Sequence, residues 1–490
     1  MRPNLLTAAA LALLTSGCSI ARPATGPRPA SLAMALDSAF DAPQLSGSEW
    51  GVLVKSLRTG EVLYERNAGK LFTPASNMKL LTASATLEAL GPDYRYRTTF
   101  AAEGPVSDGV LHGDLVVRGT GDPTFSGRFF PDARTAMRQW ADSLRAHGIT
   151  RIAGGIIGVD SAFSGPTLGA GWSWDDLAAY YSTEFDALQF NEGAILVRVT
   201  PSRTLGEPGI VVLDPPTGYV RVNNATVTTA PGTPARLEIT RDPAGPGITL
   251  RGQIPADTPY VAEDVAVRGP VAFFLQVLRE TLRQEGVAVE GQALPVDDWL
   301  GPRLNARDVP IFTYSSPPMS EIVPGFLKPS QNWIAETLLH TLGYELRGEG
   351  SARAGAAVED SIFSAWGLPT DKMRIADGSG LSRFDLVTPE LLVGILTHMR
   401  QSPDSTLWYN SLPVGGVDGT LRRRMPGPPL RGNVHAKTGT LTSVRSLSGY
   451  LTTVSGEPIV FSILNNHHLH SASAVDEVVD AALRMIAERY

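Results

Sequence analysis

A chain of 490 residues with 43% hydrophobic residues can bury large cores, and its length fits about three domains. Its 42 basic and 49 acidic residues leave a net charge of −7, which offers no electrostatic footprint for nucleic acid or for an anionic membrane surface. A single cysteine, Cys18, excludes a disulfide scaffold, a zinc ribbon, an iron–sulfur site and a cysteine nucleophile in the folded body.

At the N-terminus, a short basic start (Arg2) precedes an apolar run over residues 5–14 that is too short to span a bilayer. Thr15-Ser16-Gly17-Cys18 follows, so residues 1–17 read as a secretory signal. The stretch resembles a bacterial lipobox, with Thr15 standing where Leu is more usual. That resemblance implies lipidation at Cys18, a lipid-anchored tether over residues 18–40, and, from Ser19, sorting to the outer membrane. No later segment reaches about 18 uninterrupted apolar residues, so membrane contact is expected through this lipid only.

Residues 50–57 and 61–65 flank Arg58-Thr59-Gly60 and read as a β-hairpin. Residues 76–90 read as a helix between Thr73-Pro74 and Gly91-Pro92. From about residue 97 to 300 the texture changes to short apolar runs separated by Gly, Pro and Asp, and residues 209–261 are almost all-β. This predicts an inserted domain II (97–208 and 262–299), itself interrupted by a β-rich domain III (209–261). The insert interrupts a domain made from 41–96 and 300–490. Near the C-terminus, residues 446–454 and 458–464 read as strands and 474–489 as an amphipathic helix. Strands at both ends of the chain predict one antiparallel sheet assembled from the two termini.

Ser76-Asn77-Met78-Lys79 places a hydroxyl and an amine on one face at the start of a helix. A serine needs a neighbouring base to become a nucleophile, and an amine serves if burial or a second cation lowers its pKa. Alone this pattern is weak. Two further elements follow in order: Ser330-Gln331-Asn332 before an apolar helix, and Lys437-Thr438-Gly439 just before the first C-terminal strand. The ordered set Ser-x-x-Lys, Ser-x-Asn, Lys-Thr-Gly is the signature of active-site serine penicillin-recognising enzymes. Ser330 can relay a proton, and Asn332 can bond a substrate amide and hold Lys79. Lys437 adds positive charge that depresses the Lys79 pKa, the Thr438 hydroxyl can bind a carboxylate, and Gly439 allows close approach of a strand edge. The N–H groups of Ser76 and Thr440 would form an oxyanion hole.

With Asp377-Gly378-Ser379-Gly380-Leu381-Ser382-Arg383, Gly119-Thr120-Gly121-Asp122-Pro123 and Gly171-Trp172-Ser173-Trp174, the chain from about Trp50 to Tyr490 resembles the D-alanyl-D-alanine carboxypeptidase/endopeptidase family, the class C low-molecular-mass penicillin-binding proteins. Gln331 stands where Asp is common. The resemblance implies an α+β fold: a transpeptidase-like (β-lactamase-type) domain with an antiparallel sheet flanked by helices, plus nested inserted domains. It implies a serine DD-peptidase that forms an acyl-enzyme on Ser76, acts on peptidoglycan peptides, is acylated by β-lactam antibiotics, and needs no cofactor or metal. A periplasmic place in the bacterial cell envelope follows. Arg383 is expected to bind a stem-peptide carboxylate and Asp160 an ammonium. A β-lactamase or serine esterase on the same domain is the rival within catalysis, disfavoured by the long insert. A non-catalytic peptidoglycan-binding scaffold is disfavoured by three intact motifs. His467, His468 and His470 read as a polar loop, and Ser379 as part of a tight turn.

Overall fold

The computed structural model describes residues 31–299 and 308–489. The expected signal peptide, Cys18 and the first part of the tether lie outside the described residues. Both chain ends build one five-stranded sheet. Glu49–Ser56 (β1) and Val62–Arg66 (β2) form the hairpin, and His435–Leu441 (β3), Val444–Thr452 (β4) and Pro458–Asn466 (β5) come from the C-terminus. The order is β3-β4-β5-β1-β2, antiparallel throughout, with Val52 opposite Ile463 and Lys437 opposite Ser448. The period of two sends Trp50, Val52 and Val54 to one face with Phe461 and Ile463, and Leu53 to the other with Val460 and Leu464.

The helices that sandwich this sheet are α1 (Leu32–Phe40), α2 (Met78–Leu90), α3 (Met319–Leu327), α4 (Asn332–Arg347), α5 (Ala352–Ala365), α6 (Pro389–Gln401) and α7 (Ala472–Arg489). Leu36 and Phe40 of α1 join Val475, Val479 and Leu483 of α7 over the first face, while α2 to α6 cover the second. Residues 32–40, expected to belong to the tether of residues 18–40, form a helix. Ser31 caps it by accepting from Met34 N at 3.3 Å, and its apolar stripe is buried against the C-terminal helix. α2 has no solvent face over residues 78–87, all of which are buried.

Between α2 and α3 the chain builds other sheets. The largest is mixed, in the order Ala293–Pro295, Ile156–Val159, Asp114–Arg118, Arg97–Glu103, Val309–Ser315. Helices Thr135–Ala146 and Pro270–Gln284 pack on it through Trp140 and Phe274. The strand Val309–Ser315, expected in the C-terminal catalytic segment, instead pairs antiparallel with Arg97–Glu103, so the insert's sheet closes well after residue 300. The all-β region is also wider than 209–261. Ala194–Thr200 is the central strand between Ile210–Asp214 and Val261–Ala266, beside a second sheet of Arg221–Thr229, Gly247–Pro255 and Arg236–Arg241. Strand ends follow pairing partners that lie far away in sequence, and composition does not mark them.

Candidate active site

Ser76 lies in a single 3-10 turn, Ala75–Asn77, that feeds directly into α2. Ala75 just before it has φ 47, a left-handed backbone that costs a non-glycine residue strain and is held here by its surroundings. Gly380 packs so closely on the Ala75 carbonyl that a Cβ at 380 would overlap it. One turn on, Lys79 is fully buried, and its Nζ donates to Ser76 Oγ at 3.0 Å, Asn332 Oδ1 at 2.6 Å and the Ser379 carbonyl at 2.7 Å. An ammonium sealed from water is destabilised, and burial brings the Lys79 pKa down to about 7, against the opposing pull of Asp377, Glu336 and Asp385. Of the two causes the sequence allowed, burial or a second cation, burial is thus the one that lowers it, and the Lys437 charge is not among the causes.

The second motif lies at the N-terminus of α4. Asn332 faces Lys79, while Ser330 Oγ accepts from Lys437 Nζ at 2.8 Å. The serine expected to relay to Lys79 is therefore hydrogen-bonded to the other lysine. Lys437 is also buried, and burial plus the neighbouring Lys79 holds it well below its ordinary value.

Lys437, Thr438 and Gly439 do not precede the first C-terminal strand; they belong to it, on β3 at the sheet edge. A Cβ at Gly439 would overlap Ser446 Oγ and sit 2.8 Å from the Pro74 carbonyl and 3.0 Å from Ser76 N. Glycine is what lets the edge strand lie against the turn that carries Ser76. Asn77 Nδ2 donates to the Lys437 carbonyl at 3.0 Å and ties the turn to the strand. Thr438 Oγ1 lies 2.7 Å from Thr420 Oγ1, which puts a second hydroxyl beside the third motif. The Thr440 hydroxyl accepts from Arg445 Nη1. Arg383 is exposed and donates to the Thr442 carbonyl at 3.2 Å, at the end of the same strand. Asp160 is not brought to these groups. It lines a separate cavity of about 380 Å³ with Asp186, Asp297 and His340.

Beneath Lys79 lies a turn that the sequence reading set aside as structural. Asp377 accepts from Ser379 N (3.1 Å), Gly380 N (2.6 Å) and Ser382 N (2.7 Å), and Glu336, one helical turn after Asn332, accepts from Gly378 N (3.1 Å) and Ser379 N (2.9 Å). Burial pushes the Glu336 carboxyl up to about 8. Together these carboxyls aim the Ser379 carbonyl at Lys79. Trp172 of the insert donates to Asp377 Oδ2 at 2.8 Å. The spacing of Asn332 and Glu336 on one helix face was a visible signal for the second residue; Thr420 had none.

A cavity of about 550 Å³ opens beside the second motif, lined by Ser330, Gln331 and Asn332 and, from the insert, Arg128, Tyr181 and Glu192. Among the described residues no group of His, Cys, Asp and Glu is placed to hold a metal, and no helix is long and apolar enough to cross a membrane.

Known proteins give this geometry a family. Residues 32–489 match the profile of the D-Ala-D-Ala carboxypeptidase 3 (S13) family. The D-alanyl-D-alanine carboxypeptidase of Actinomadura sp. (strain R39) is 36% identical, covering 95% of this chain and 86% of that protein. The D-alanyl-D-alanine carboxypeptidase DacB of Haemophilus influenzae is 26% identical over 85% of each chain. The crystal structure of penicillin binding protein 4 (dacB) from Haemophilus influenzae has the same fold, with a TM-score of 0.81 at 24% identity over 92% of this chain and 99% of that one. With three motifs converging on one serine and a match along nearly its whole length, the chain belongs to the D-Ala-D-Ala carboxypeptidase 3 (S13) family of serine DD-peptidases.

Proposed function

We propose that this chain hydrolyses D-Ala–D-Xaa bonds of peptidoglycan stem peptides through an acyl-enzyme on Ser76. The observation that carries this reading is the 3.0 Å contact between Ser76 Oγ and a fully buried Lys79 whose pKa lies near neutrality. Neutral Lys79 takes the Ser76 proton as Oγ attacks the carbonyl carbon. The N–H groups of Ser76 and Thr440 hold the oxyanion between the helix turn and the strand edge. The leaving amine takes its proton from Ser330, which Lys437 reprotonates across their 2.8 Å contact; in deacylation Lys79 returns the serine proton to Ser76 Oγ and the attacking water's proton passes back through Ser330 to Lys437. Lys437, Thr438 and the adjacent Thr420 attract the terminal carboxylate, and water then releases the acyl group. Arg383, beside the strand that carries these groups, is the side chain we assign to a second carboxylate on the stem.

β-Lactam antibiotics acylate the same serine in this reading; a second crystal structure of the Haemophilus influenzae protein is described as complexed with a novel β-lactam. The catalytic domain is formed from the two chain ends, with the insert nested between them. The signal sequence and Cys18 put the enzyme in the cell envelope, held by an N-terminal lipid, and Cys18→Ala would release it from the membrane fraction.

Mass spectrometry after exposure to penicillin tests the mechanism. The expected result is one adduct on a peptide containing Ser76, absent from Ser76→Ala. No adduct on folded protein would sink the reading. Rapid penicillin turnover without stem-peptide cleavage would favour a β-lactamase instead.

A further inference from the structure

The turn Ser330-Gln331-Asn332 holds two groups to the reaction centre at once, Ser330 Oγ against Lys437 and Asn332 Oδ1 against Lys79. It does so with Ser330 at φ 65, a left-handed conformation that serine keeps only where its surroundings impose it. Part of that constraint comes from the catalytic half: Gln331 N donates to the Phe326 carbonyl at 2.9 Å, and Gln331 Oε1 caps α4 by accepting from Trp333 N at 3.1 Å.

The rest comes from the insert. Asn332 Nδ2 donates to the Tyr181 carbonyl at 2.7 Å, Trp333 Nε1 to the Glu184 carbonyl at 3.2 Å, and Gln331 Nε2 to the Glu192 carboxylate. The first two use backbone oxygens, which any residue at 181 or 184 would supply. The third depends on side-chain identity at both ends. Glu192 is itself fixed. Arg128 grips it with Nε at 2.7 Å and Nη2 at 2.8 Å, Ser126 Oγ donates at 3.2 Å, and both Asn191 and Glu192 are left-handed, at φ 51 and 57. The insert also packs hard against α3 just ahead of the turn, where a Cβ at Gly325 would overlap the Phe129 ring.

We propose that Glu192 is a positioning residue for the DD-peptidase reaction, acting through Gln331 to hold Ser330 and Asn332 in register with the two lysines. This rests on the function proposed above. Glutamine suits the place because it is both acceptor, for Trp333 N, and donor, for Glu192. An ionised Asp, common here in the family the motifs resemble, can cap the helix but has no proton to give Glu192. The contact is thus a feature of this chain, and it makes the insert part of the catalytic apparatus.

Gln331→Glu keeps the cap acceptor and sets a second carboxylate against Glu192. Adding Glu192→Gln restores a carboxylate–carboxamide pair with the partners exchanged. On the full-length protein, Gln331→Glu is expected to lower kcat for a D-Ala-D-Ala stem peptide, and the rate of Ser76 acylation by a fluorescent penicillin, about tenfold, with KM within about twofold. The double variant is expected to recover to within about threefold of wild type. If Gln331→Glu does not fold, Glu192→Ala leaves Gln331 intact and is expected to show the same loss in kcat. A folded Gln331→Glu or Glu192→Ala with wild-type kcat overturns the proposal, as does a folded double variant no better than Gln331→Glu. Wild-type protein that neither cleaves the peptide nor acylates would instead sink the DD-peptidase reading itself.

Discussion

Burying a lysine without a carboxylate in direct contact is unfavourable, and Lys79 is in that position: its three partners at Nζ are a hydroxyl, an amide oxygen and a carbonyl. The outcome is an amine that is largely neutral above about pH 7 and protonated below it. Since only the neutral amine accepts the serine proton, the acylation rate should fall as pH drops through about 7 and level off above it, which stopped-flow acylation across pH would read. Lys79→Met should slow acylation by about 10³-fold while the protein stays folded. Gly439→Ala probes geometry instead of charge. Its Cβ meets Ser446 Oγ and crowds Ser76 N. Displacement of the strand edge should cost about 10²-fold in acylation with a normal far-ultraviolet spectrum. Ser76, Lys79, Ser330, Asn332, Lys437 and Gly439 were legible in the sequence because each motif fixes residue types a few positions apart. Thr420 was not, since it reaches Thr438 from a loop with no local signature.

At the scale of elements, the turn 377–380 holds Lys79, a contact its sequence did not advertise. A tight turn was readable from Asp377 and the glycines around Ser379, but not that its Ser379 carbonyl would receive Lys79. Asp377 satisfies three turn N–H groups and also raises the Lys79 pKa through its charge. Asp377→Asn keeps the side-chain volume and removes the charge, although its Nδ2 no longer accepts from the donors that faced one oxygen, so in folded protein the Lys79 pKa should fall. The acidic limb of the acylation profile should then move to lower pH, a shift in the opposite direction from that expected of a lost cation. Asp377→Ala leaves the N–H groups unpaired in a buried site and should destabilise the protein by about 2 kcal/mol or more, measured by denaturant unfolding. Helix α1 makes the converse point. Its place in the expected tether of residues 18–40 suggested no packing, yet Leu36 and Phe40 find a buried seat because α7 lies beside them.

In the whole molecule, one sheet takes its strands from the two chain ends, and the long segment between them returns to touch the Ser76 site. Trp172 reaches Asp377, Tyr181 reaches Asn332 and Glu192 reaches Gln331. Glu184, from the same insert segment, pairs with Arg241 of the β-rich region at 3.1 Å, with the two side chains 9% and 4% exposed. Arg241→Ala would strand a buried carboxylate and should lower stability by about 3 kcal/mol, seen as an earlier unfolding midpoint. The sequence by itself determined that Ser76 and Lys79 share one helix face, the order of the motifs and the sheet shared by the two termini, because these rest on residue type, short spacing and the alternation of apolar residues. Tertiary structure alone decided that burial, of the two causes the sequence allowed, lowers the Lys79 pKa, that Ser330 pairs with Lys437, that Asp160 lies in another cavity, and that the strand Val309–Ser315 pairs with Arg97–Glu103. Those outcomes depend on solvent exclusion and on pairings between residues far apart in the chain, which no local pattern encodes.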